Sequence, residues 1–251
     1  MEINLTRGGQ KSLESTDDGP PAPSENSLVV IRDIYYMKRI AVEVVSQLAL
    51  GTISTNPTDT FLFSQLVEQA QEEFQHLNQC RSLLADLDAF AETPSYVRQY
   101  ARMMRSGAGK TRRTLPLAAA AILCIAVERA AMKQLAGDRP SENRRVLALL
   151  RQLATDEEDH YKLVVQVVAP NAASRASMLE RVRTHCLILK ILWITLLRWW
   201  PRRLAAYRAC GLDVPLFLEA TLGYASQALR PLGLVFPDKV ILGLARMALR
   251  S

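Results

Sequence analysis

Glu73-Phe74-Gln75-His76 and Glu157-Glu158-Asp159-His160 decide how this chain is read. Each is a Glu-x-x-His, and together they use two of the three histidines in the sequence. Residues three apart on a helix share a face, so each stretch aims a carboxylate and an imidazole the same way. Outward from the first, apolar steps run Leu62, Leu66, Gln69, Glu73, His76, Cys80, Leu83. Outward from the second they run Val146, Leu150, Leu153, Glu157, His160, Val164, Val167. Steps of three and four trace the buried stripe of a bundle helix. In both stripes the Glu and His stand where core residues belong. An unpaired buried carboxylate costs several kcal/mol, so such groups are paired or hold a metal.

Two more helices offer a carboxylate in the same setting. Glu43 lies on a stripe of Tyr36, Ile40, Glu43, Gln47 and Leu50, and Glu128 on one of Ala121, Cys124, Glu128, Ala131 and Leu135. Glu43 precedes Glu73 by 30 residues and Glu128 precedes Glu157 by 29, so a Glu followed by a Glu-x-x-His occurs twice at almost one offset. Two helix hairpins would each bring half of a dinuclear site. Without a metal, the same pattern reads as a bundle with polar core residues, or as surface helices bearing Glu–His pairs.

Over residues 28–168 this constellation resembles the ferritin-like di-iron carboxylate superfamily, in its non-haem oxidase and oxygenase branch. The resemblance implies an all-α ferritin-like four-helix bundle with Glu43, Glu73, His76, Glu128, Glu157 and His160 as metal ligands. Glu73 and Glu157 would bridge the metals and carry the catalytic role. Glu72 and Asp156, four residues before their histidines, are the alternative register. The implied cofactor is a pair of iron ions, with a mixed manganese–iron pair as the variant. Its implied activity is O2 activation, to hydroxylate or oxidise a hydrophobic or carrier-held organic substrate with an external electron donor. The chain is similar to the quinone-ring hydroxylase of ubiquinone biosynthesis in its Glu-to-Glu offset, and to a tRNA-modifying hydroxylase in size. Neither likeness extends beyond the ligand motifs, so neither substrate is carried over. A ferroxidase or iron-handling protein is the alternative, and a purely structural manganese or zinc site the third reading. Tyr36 and Tyr161 lie near the expected ligands, as packed core or rim tyrosines or as redox-capable neighbours.

The 251 residues suffice for one large domain, or one domain with an appendage, and 49% hydrophobic content with few glycines suits a helical protein. A net charge of +6 mildly favours anionic partners such as a membrane surface or a carrier protein. Cys80, Cys124, Cys186 and Cys210 show no paired spacing, which argues against a thiolate metal site and for a reduced, cytoplasmic setting, peripheral membrane contact included.

In chain order, residues 1–27 combine acid, serine and proline crowding and read as a disordered tail. Helices are expected over about 28–50, capped by Asn26 or Ser27, and from Thr58 or Asp59 to about Leu87. Ser106-Gly107-Ala108-Gly109-Lys110-Thr111 lacks the leading glycine of a phosphate loop, since Met104 stands there. It reads as a basic loop with Arg102, Arg105, Lys110, Arg112 and Arg113; nucleic acid is a disfavoured partner. A third helix is expected from Pro116 to Gly137 and a fourth from Ser141, as its N-cap, to a stop before Pro170. No helix of this half is expected to span a bilayer. Residues 169–251 form an apolar, basic helical appendage that packs on the bundle, on a second copy or on a membrane surface. Lys190 and Arg198 interrupt its most apolar run, 186–200. Further helices are expected over 213–227 and 237–250. His185 stands apart from the ligand pattern.

Overall fold

A computed structural model describes residues 22–55, 57–86, 114–137, 143–194 and 200–234, with single helical positions at 98, 102 and 243. The N-terminal tail through 21, most of the basic loop, Ser141 and the helix expected over 237–250 lie outside the described residues. The protein is all-α, with no strand among the described residues.

Four long helices come first: α1 (Glu25–Thr55), α2 (Thr60–Asp86), α3 (Thr114–Leu135) and α4 (Arg144–Leu163). Contacts run round the square from α1 to α2, α2 to α4, α4 to α3 and α3 back to α1. The stripes expected on three of these helices are the buried ones. Leu62, Leu66, Gln69, Glu73, His76, Cys80 and Leu83 of α2 all face inward. So do Ala121, Cys124, Glu128, Ala131 and Leu135 of α3, and Val146, Leu150, Leu153, Glu157 and His160 of α4.

On α1 the buried face is shifted. Tyr36 and Ile40 are buried, but Glu43 and Gln47 are half-buried and Leu50 is 64% exposed. The innermost line is Ile31, Ile34, Lys38, Val45, Leu48 and Thr52, also spaced by threes, fours and a seven. Apolar residues surround most of this helix, so two phases fit its sequence, and the one containing a lysine is the one buried.

Helix ends differ from expectation where polar side chains compete. α1 starts earlier because Ser24 Oγ accepts the Ser27 N–H at 3.1 Å, making Ser24 the cap rather than Asn26 or Ser27. It continues through Gly51 because Leu48 and Thr52 prolong its buried line. Asp59 caps α2, accepting the Leu62 N–H at 3.3 Å. Asn143 caps α4 by accepting from Arg145 and Val146. Pro170 does not stop α4. The chain passes through a π-helical turn, Val164–Val168, in which the Ala169 N–H reaches back five residues to Val164 O, and continues as α5 (Ala169–Ser174) with the proline in its first turn. α3, over Leu115–Leu135, is long and apolar enough to cross a membrane, contrary to expectation; 89% of that span is buried inside the protein.

The appendage comprises α6 (Met178–Ile194), α7 (Trp200–Ala209), α8 (Val214–Leu229) and a 3-10 turn, Arg230–Leu232. α6 and α8 pack along α3, and α7 against α1. One apolar cluster joins Leu222, Ala225 and Leu229 of α8 to the α1–α3 core. Another joins Tyr207, Phe217 and Leu218 to Val30, Leu135 and Leu150. Arg181 fastens the end of the appendage by donating to Ala173 O at 2.8 Å and to Leu232 O. Arg203 of α7 pairs with buried Asp33 of α1 at 3.4 Å.

Candidate metal centre

The inward faces of α2, α3 and α4 bring Glu73, His76, Glu128, Glu157 and His160 to one level of the bundle, and all five are buried. Glu73 lies between the imidazoles: Oε1 is 3.1 Å from His160 Nδ1, and Oε2 is 3.9 Å from His76 Nδ1. Glu157 Oε1 is 3.8 Å from the same His160 nitrogen. The ring centroids of His76 and His160 are 6.0 Å apart. Glu73, Glu157 and His160 form a buried group whose donor atoms lie within 4.8 Å of one another, close enough to hold one metal ion.

Both histidines are anchored from behind. His76 Nε2 meets Asp156 of α4 at 2.7 Å, and His160 Nε2 meets Glu72 of α2 at 3.0 Å. Glu72 and Asp156 therefore reach across to the opposite helix's histidine, at the outer edge of each ring. A carboxylate on one ring nitrogen fixes orientation and tautomer and leaves the other nitrogen free to ligate. The inner Nδ1 of His76, with Glu128 Oε1 and Glu157 Oε2, has no hydrogen-bond partner. Buried polar atoms are nearly always satisfied, so this set of converging donors fits a cation.

One cation of the protein's own is already there. Lys38, 1% exposed, ion-pairs through Nζ with Glu128 Oε2 at 2.7 Å, Glu73 Oε2 at 3.0 Å and Glu157. Periodicity does not single this lysine out, because lysine on a helix usually faces solvent. Its place on the 31, 34, 38, 45 line is the available signal. Glu43, five residues further along α1, is half-buried and falls roughly 140° round the helix from Lys38 at about 100° per residue.

The charges interlock. Burial disfavours charged Lys38, but Glu128, Glu157 and Glu73 outweigh it and hold its pKa well above the ordinary lysine value. Burial raises Glu73, but Lys38 and then His160 and His76 hold its carboxyl well below the usual range. Glu157 is lowered in the same way, with Lys38 as the main force opposing burial. Glu128 goes the other way: burial and the Glu157 and Glu73 carboxylates outweigh Lys38 and hold it well above the carboxylate range. His160 resists burial through Glu157 and Glu73, and its pKa is pushed up to about 11. A divalent ion would take the place of the His160 proton.

Tyr161 is a packed rim residue. Its hydroxyl donates to Tyr224 O at 3.1 Å, and Arg129, paired with Glu158, lies 4.6 Å from its ring centre and 4.2 Å from that of Tyr224. Tyr36 is buried edge-on to Tyr35, with centroids 5.3 Å apart. His185 Nδ1 lies 2.8 Å from Arg181 O within α6, away from the cluster.

No family model, curated protein or solved structure matches this chain. The ferritin-like resemblance thus rests on the ligand spacing in the sequence.

Proposed function

We propose that this chain is a metal-dependent oxidoreductase of ferritin-like bundle type, using iron at the α2–α3–α4 centre to activate O2 against a hydrophobic or carrier-held organic substrate. The single observation carrying this reading is the pair of Nδ1-inward, Nε2-anchored histidines around Glu73. Glu73, Glu157 and His160 would hold one ion; His76, Glu128 and Glu43 are the remaining ligands that a di-iron or manganese–iron centre would need. Oxygen-rich donors with imidazole suit iron or manganese better than a thiolate-seeking ion.

Iron held there by Glu73, Glu157 and His160 would supply electrons to O2. The protein's own part is to fix the donors, exclude water and place protons. Leu66, Leu150 and Leu153, buried on the same stripes, make the surrounding core apolar. Asp156 and Glu72, on the outer sides of the histidines, are the groups through which the imidazoles exchange protons with the surface.

A ferroxidase, in which iron is the substrate, shares the centre and differs in needing no organic partner. Oxygen uptake by iron-loaded protein, with reductant and a panel of apolar and carrier-bound substrates, tests the proposal. Uptake stimulated by an organic substrate and abolished in Glu157→Ala is the expected result. Uptake that follows added Fe2+ alone would move the assignment to ferroxidase, and no uptake in either case would contradict O2 activation.

A further inference from the structure

Lys38 is out of place in a site built for two metal ions. Its Nζ is within ion-pairing distance of one oxygen from each of Glu73, Glu128 and Glu157, the carboxylates that two ions would share. It is 1% exposed on the innermost line of α1, and α1 packs against both α2 and α3, so the side chain has no open route to solvent. Two oxygens of the same carboxylates that Lys38 does not contact, Glu128 Oε1 and Glu157 Oε2, are left without hydrogen bonds. Donor atoms of Glu73, Glu157 and His160 still lie within 4.8 Å of one another, the spacing that one ion needs.

We infer that the centre takes a single divalent cation, held by Glu73, Glu157 and His160, and that the Lys38 ammonium permanently occupies the position of the second. This rests on the metal-centre reading above and changes its stoichiometry. Charge counting agrees: three carboxylates are neutralised by one lysine and one divalent ion, whereas two divalent ions and a lysine leave an excess of positive charge in a dry core. Its contacts with the three carboxylates also make Lys38 a positioning residue. It holds Glu128 and Glu157 in place and stands ready to donate a hydrogen bond to whatever small anion or oxygen species shares the site.

The test is ion stoichiometry, by anaerobic Fe2+ dialysis and by Mn2+ binding followed with electron paramagnetic resonance. Wild-type protein should bind one ion per chain and give the spectrum of an isolated Mn2+ even with Mn2+ in excess. Lys38→Ala should admit a second ion and show the broadened signal of a coupled pair; Lys38→Glu, which adds a carboxylate, should do the same if the alanine variant fails to fold. Two coupled ions in the wild type, or only one in both variants, would overturn the inference and leave the metal-centre reading standing. No bound Fe2+ or Mn2+ in the wild type would overturn both.

Discussion

Lys38 reaches three glutamates because its position on α1 points inward and its four-carbon stem spans the distance to α2, α3 and α4. Each ion in such a cluster loses hydration worth several kcal/mol, and mutual attraction with good geometry offsets that loss. Removing one member leaves the others uncompensated, so the cluster is an all-or-none arrangement. His160 shows the consequence for pH. Its pKa is raised from 6.5 to about 11, so its protonated form stabilises the fold fully below pH 6.5 and less as pH climbs toward 11. In metal-free protein, the melting-temperature gap between wild type and His160→Gln should narrow steadily over that window. A gap that stays constant would mean that the Glu73 and Glu157 contacts do not hold the His160 proton. The candidate donors at this scale were readable in advance: a glutamate and a histidine three apart on an apolar stripe must turn inward together, where only a partner or a metal makes them tolerable. Lys38 was not, since nothing in a local sequence tells a buried cation from a solvated one until its partners on other helices are known.

At the scale of elements, two of the four bundle helices follow a single apolar phase, and those two were legible. α2 and α4 each have one stripe that accounts for most of their burial, whereas α3 is apolar and buried on nearly every side. α1 has two competing stripes, and packing against neighbours, which no single helix encodes, chose between them. The π turn at Val164–Val168 is likewise a tertiary outcome: Pro170 lacks an N–H, and a widened turn lets the helix continue where a stop was expected. Chain reversals are local and can be tested one at a time. Gly211 and Gly233 adopt φ of 83° and 69°, ending α7 and the 3-10 turn in the left-handed conformation that glycine accommodates best. At Gly233 an added Cβ would also come within 2.9 Å of Arg181 Nη1. Gly233→Ala should therefore destabilise by about 1 kcal/mol or more, seen as a melting temperature lowered by roughly 2–4 °C. An unchanged melt would show that the Arg181 clamp yields freely.

For the whole molecule, the appendage and the bundle share their apolar clusters, so the centre sits in a core built by both halves of the chain. The sequence pattern predicted apolar helices over residues 169–251, but not which surface they would cover, because apolar helices suit a bundle, a partner or a membrane equally well. α6 and α8 lie against α3, the helix that carries Glu128, and Arg129 stacks on Tyr224 of α8 directly beside that glutamate. The appendage thus covers α3. The proposed chemistry depends on the buried donors holding a metal, and a ligand that binds only the folded state is measurable directly. Anaerobic calorimetric titration of Fe2+ into the full chain, wild type beside Glu73→Ala, is that measurement. Saturable binding in the wild type, lost when the carboxylate between the two imidazoles is removed, is the predicted result. Absence of binding in the wild type, or binding that survives in Glu73→Ala, would contradict a metal centre at this site.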